Sequence, residues 1–131
     1  MTEADELRLI DYLAHILEAI ERIDAYTSDM TEGTFLGNTL VQDAVLRNFE
    51  IIGEASRNIE VRFPDFAADY PDLPLSDAYQ MRNALAHGYF KVDLEIVWRT
   101  IERNLPDLHA LVKRLSVAVQ QLPPTSTEQG E

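Results

Sequence analysis

Between Met81 and Phe90 the chain sets an arginine, a carboxamide, an imidazole and a phenol within eight residues: Arg82, Asn83, His87 and Tyr89. Ala84, Leu85 and Ala86 fill the space between them and leave room around the polar groups. A guanidinium stays charged and can grip two oxygens of a phosphate at once. An imidazole titrates near neutrality and can take or give a proton. Together the two could hold a phosphate and move a proton beside it. The competing reading is an ordinary polar helix end, the usual role of a lone Arg or His.

The same ten residues carry their own structural instructions. Ala84, Leu85 and Ala86 favour helix and Gly88 favours its termination, so Arg82 to His87 reads as the last turns of a helix. At about 100° per residue, Tyr79, Asn83 and His87 share one stripe, with Arg82 and Ala86 beside it. His87 then sits at a helix C-terminus, where the macrodipole favours its protonated form.

The spacing Arg-Asn, three residues, His, one residue, Tyr resembles the signature of the HEPN superfamily. Within it the chain is most similar to the HepT-like branch, the toxin half of MNT–HEPN toxin–antitoxin pairs. The segments Asp43–Asn48 and Ile51–Ala55 match that branch, as do Val92-Asp93 and Ile96-Val97-Trp98. The resemblance extends to about Leu115. Leu75 departs from it, since relatives often carry Trp after the proline matched by Pro74.

A chain of 131 residues suits one domain, expected over residues 1–121, with 122–131 a disordered tail of Pro, Thr, Ser, Glu and Gln. There is no cysteine, which excludes disulfide and thiolate chemistry and agrees with a cytoplasmic location. The acidic start is unlike a signal peptide, and no apolar run approaches the ~20 residues that span a bilayer. A formal net charge of −12 argues against a general nucleic-acid binder. The charge is uneven, however. Met1 to Met30 holds eight acids and two bases, whereas Arg82 to Arg114 holds six bases and four acids. A local phosphate-accepting cleft is compatible with this, and an acidic outer face suits a basic partner.

The apolar pattern predicts an all-α, up-and-down bundle of four to five helices. The first spans about Asp5 to Tyr26, with Leu7, Ile10, Leu13, Ala14, Leu17, Ile20 and Ile23 as its stripe. Thr27 to Asn38 reads as a loop folded back by Phe35 and Leu36. The second helix runs from Thr39 or Leu40 to Phe63, stopping before Pro64. Gly53 inside it costs about 1 kcal/mol against Ala, a loss that close approach of another backbone would offset. Asn48, Glu50 and Arg57 read as solvated surface. Glu54 is the exception, able to orient Arg82 or His87 through a hydrogen bond or ion pair. Pro64 to Leu75 reads as an ordered loop anchored by Phe66, Tyr70 and Leu73, after which Ser76 or Asp77 caps the helix that bears the motif. Asp93 caps the next, with Trp98 as a core anchor, and Pro106 kinks or restarts it. His15 is expected to be a surface or packed residue, and His109 a surface one.

The resemblance implies a metal-independent ribonuclease toxin without a cofactor, acting on cellular RNA as a two-fold homodimer. It also implies control by a cognate MNT-type nucleotidyltransferase antitoxin that adenylylates the tyrosine of the His-x-Tyr pair, here Tyr89. The residue chemistry gives Arg82 and His87 the cleavage, with Asn83 fixing the His87 ring or donating to the phosphate. The alternative is a non-catalytic nucleotide- or protein-binding partner of a nucleotidyltransferase, supported by the unfavourable overall charge.

Overall fold

A computed structural model describes residues 2–86 and 93–121, apart from the side chains of 84–86. Seven helices and no strand occur among the described residues: α1 (Glu3–Thr27), α2 (Glu32–Leu36), α3 (Thr39–Arg62), α4 (Pro64–Asp69), α5 (Leu75–Ala86), α6 (Leu94–Arg103) and α7 (Leu105–Gln120). The all-α class is as the apolar pattern predicts. Two short helices, α2 and α4, are added to the expected long ones. The expected tail, 122–131, lies outside the described residues.

The helix ends obey local rules. Thr2 and Asp5 form a reciprocal capping box at the start of α1. The Asn38 side chain accepts from the Val41 N–H at 3.0 Å to open α3. Asp93 accepts from Glu95 and Ile96 N–H groups to open α6. The α6–α7 break falls at Asn104, and Pro106 stands in the first turn of α7, where its missing N–H costs nothing.

Several expectations need correction. The segment after α1 is not all loop: Thr31 caps a turn of helix, α2, whose last carbonyls accept from the Gln42 side chain. Pro64 ends α3 but also starts α4, because a proline is favourable at a first helical position. The motif helix begins at Leu75, so neither Ser76 nor Asp77 is its cap; Ser76 instead donates to Glu60 at 2.6 Å. In α1 the buried stripe runs through Leu9, Leu13, Ile16, Ile20 and Ile23. Leu7 is 60% exposed because it lies about 160° around the helix from Leu9. Asn48 is buried, since it falls on the same face of α3 as Val45, Ile52 and Ala55.

Helix α3 is the centre of the packing, against α1 on one side and α5 on the other. Helix α7 packs on α1, and α6 on α7. Phe35 from α2 stacks on Trp98 from α6 with ring centroids 5.3 Å apart, and both are buried, which makes Trp98 the core anchor expected of it. His109 lies at the surface, half-buried, and its Nε2 stands 3.0 Å from a Glu21 carboxylate oxygen, a contact between α7 and α1. His15 is exposed, with its ring edge-on to Tyr12.

The α3–α5 contact is close because Gly53 has no side chain. A Cβ there would overlap Cβ of Arg82 and stand 2.8 Å from its Cγ and 2.9 Å from the Ala78 carbonyl oxygen. The Gly53→Ala substitution should therefore destabilise the fold by about 1–3 kcal/mol in urea unfolding, despite alanine's better helix propensity. A Gly53→Ala variant as stable as the parent would mean that α5 does not sit against α3 in this way.

Candidate functional site

Arg82 is on the penultimate turn of α5, and its aliphatic stem lies across Gly53. This fixes where the guanidinium begins. Its Nε then lies 2.7 Å from Oε1 of Glu54, the residue after that glycine. The contact is close but off the N–H axis, so it is an ion pair rather than an aligned hydrogen bond. Nη1 donates to Oδ1 of Asn83 at 3.0 Å. Glu54 and Asn83 thus engage Nε and Nη1, and the Nη2 edge is used by neither. The Arg82 side chain is 30% exposed, accessible to a ligand yet held by its stem.

Arg82–Glu54 is one rung of a longer seam. Arg57 lies over the Tyr79 ring, 4.9 Å from its centroid. Glu60 accepts from Ser76 and also pairs with Arg57 at 3.3 Å. On α3 the seam steps through Glu54, Arg57 and Glu60 while on α5 it steps back through Arg82, Tyr79 and Ser76. Spacings of three residues on both antiparallel helices keep the pairs on one side of the contact. Sequence reasoning does not assign Arg57 and Tyr79 this role. The detectable signal is the matching spacing of polar groups on either side of Gly53.

The expected site residues divide into two sets. Arg82, Asn83 and Glu54 are brought together. His87 and Tyr89 lie outside the described residues. Asn83 contacts Arg82 and so organises the cation, whereas its expected contact with the His87 ring falls outside that description. Among the described residues no group of His, Asp and Glu is arranged to hold a metal ion. None of their helices is long and apolar enough to cross a membrane.

With Glu54 55% exposed, the ion pair serves geometry more than stability. A double-mutant cycle with Glu54→Gln and Arg82→Gln, read by urea unfolding, should give a coupling of about 0.2–1 kcal/mol. A coupling of several kcal/mol would identify a desolvated pair on which the fold itself depends.

Comparison with known proteins identifies the family. The family model described as Ribonuclease HepT-like matches residues 16–115. A Thermococcus cleftensis protein named probable ribonuclease HepT is 40% identical over 105 residues, 80% of this chain and 93% of its own length. A Methanocaldococcus jannaschii protein, named as a gamma-glutamylcyclotransferase and candidate RNase, is 42% identical over 97 residues. The match covers 74% of this chain but 42% of that longer relative. A candidate RNase of Caldanaerobacter subterraneus is 32% identical over 104 residues, 79% of this chain and 90% of its own. No solved structure matches. By a family match over most of its length, and by relatives that it spans almost end to end, this chain belongs to the HepT-like ribonuclease family.

Proposed function

We propose that this member of the ribonuclease family is the toxin of a toxin–antitoxin pair and cleaves RNA without a metal ion, using Arg82, His87 and Asn83. The observation that carries the reading is the mounted guanidinium. Arg82 is seated on Gly53, with Nε paired with Glu54 and Nη1 joined to Asn83, so that neither of these partners uses Nη2. Its family membership and the ribonuclease names of its relatives supply the substrate class.

In this reaction the ribose 2′-oxygen attacks the adjacent phosphorus and the bond from phosphorus to the 5′-oxygen breaks. A base removes the 2′-proton and an acid supplies a proton to the departing 5′-oxygen. The products are a 2′,3′-cyclic phosphate and a free 5′-hydroxyl. His87 is the proton-transfer group, because imidazole as a side chain can both take and give a proton near neutrality. Arg82 neutralises the crowded phosphorane through bidentate contacts. Glu54 is a positioning residue that acts through Arg82. Two proton transfers are easier with two imidazoles, so the proposal includes a two-fold homodimer that faces two Arg82–His87 pairs into one cleft.

Control falls on Tyr89. A cognate MNT-type nucleotidyltransferase would join the Tyr89 oxygen to the α-phosphorus of ATP and release pyrophosphate. The added phosphate and bulk, close in sequence to Arg82 and His87, would repel and exclude RNA. All of this is assigned to the cytoplasm. The charge of −12 favours a second reading, a non-catalytic nucleotide- or protein-binding partner of such a nucleotidyltransferase.

Purified unmodified protein should cleave transfer or messenger RNA in the presence of a chelator. Arg82→Ala and His87→Ala, each checked for folding, should lower the rate by at least about 100-fold. Arg82→Lys should remain well below the parent, because an ammonium keeps the charge but loses the fork. Inactive parent protein, with Tyr89 shown by mass to be unmodified, would favour the binding partner. Covalent neutralisation that persists in Tyr89→Phe would remove Tyr89 as the control point.

A further inference from the structure

Helices α5 and α7 both flank the central pair, α1 and α3, but make little contact with each other. Between them lies an open cleft of about 400 Å³. Its floor and walls are apolar: Phe49 and Ile52 from α3, Ala78 and Met81 from α5, Leu108 and Leu111 from α7. Asp72, Asp77 and Asp107 stand among its lining residues, and all three are exposed. Among the described residues that line it there is no lysine, arginine or histidine. The cleft is therefore apolar inside and acidic at its mouth.

We propose that this cleft is a docking site for a basic amphipathic segment of another protein. Such a segment would seat its apolar side chains on the α3 floor and set Lys or Arg against Asp72, Asp77 and Asp107. The charge pattern selects this occupant. A second copy of a chain with net charge −12 would bring like charge to a carboxylate rim. A nucleic acid would bring phosphates, which the same rim repels. A helix between α5 and α7 can place apolar side chains at i, i+3, i+4 and i+7, the pattern by which grooves of this kind take a partner. Met81 lines the cleft while its neighbour Arg82 is turned to α3. An occupant would thus bear on the helix that carries the cation, but from an adjacent face. The inference does not rest on RNA cleavage.

Fluorescence anisotropy with a labelled, fourteen-residue peptide is the test, with Leu at those four helical spacings and Lys elsewhere. The full chain should bind it saturably, one peptide per chain, and more weakly as salt rises. Combined D72N, D77N and D107N should weaken binding by about tenfold, with an unchanged melting temperature. E3Q, D11N and D29N together remove equal charge from exposed positions outside the cleft and should change affinity by less than about twofold. Leu108→Ser should also weaken binding, since the apolar wall is part of the site. Equal losses in the two charge-neutralised triples would overturn the proposal in favour of attraction by net charge at large. Equal binding of a Leu/Glu peptide would overturn it in favour of a plain apolar surface. No saturable binding, together with self-association in sedimentation that Leu108→Ser abolishes, would assign the cleft to a second copy and overturn it likewise.

Discussion

At Gly53 the α3 backbone comes so near α5 that no side chain fits between them, and the stem of Arg82 lies in that gap. The rest of the site depends on this contact. An arginine side chain has four rotatable bonds, and holding its head in place ordinarily costs considerable entropy. Here the first part of the chain is confined by the helix contact, and only the outer part needs polar partners. Glu54 and Asn83 supply them from the two residues adjacent in sequence, one on each helix. Helix α3 is pinned elsewhere by α1 and by the Asn38 cap, so the guanidinium seated on it inherits the rigidity of the core.

The helix class and the long helices are legible because their apolar residues repeat at 3.6 and their ends carry Asn38, Pro64 and Asp93. The two short helices are not. One turn of helix buries too few residues to print a repeat, and the Gly, Ser and Asp around Glu32–Leu36 resemble loop composition. Asn48 misleads for a related reason, since residue type outweighs its place on the buried face of α3. It spends its amide on the Ala44 carbonyl, the local bond by which a polar group tolerates a helix interior. At the site, Gly53 and Glu54 can be read as a pair because a costly glycine asks for a neighbour and an adjacent carboxylate asks for a cation. The partners across the contact, Arg57 with Tyr79 and Glu60 with Ser76, need the antiparallel register, which no single helix contains.

Charge is partitioned in the same economical manner. Net charge sets solubility and long-range attraction, while a phosphate responds to the field within a Debye length or so. Arg82 shares its helix with one carboxylate of the α5–α7 cleft, Asp77. Adjacent residues, Met81 and Arg82, turn α5 toward the apolar cleft and toward the polar seam with α3. An acidic molecule can in this way retain a cationic point.

The ladder of pairs between α3 and α5 also sets how α5 can move. A slide of one residue along the axis would break every rung together and drive a Cβ or a carbonyl into the gap at Gly53. The next arrangement of comparable packing is a full helical turn away, about 5.4 Å, with a different set of partners. Small translations of α5 are thus excluded as a means of adjusting the site, while rotations about the outer bonds of Arg82 remain open to it. Exposed rotamer changes take picoseconds to nanoseconds, whereas helix register shifts take microseconds or longer. Rearrangement of the Arg82 head among its polar partners belongs to the fast scale, above a backbone that stays still on the slow one.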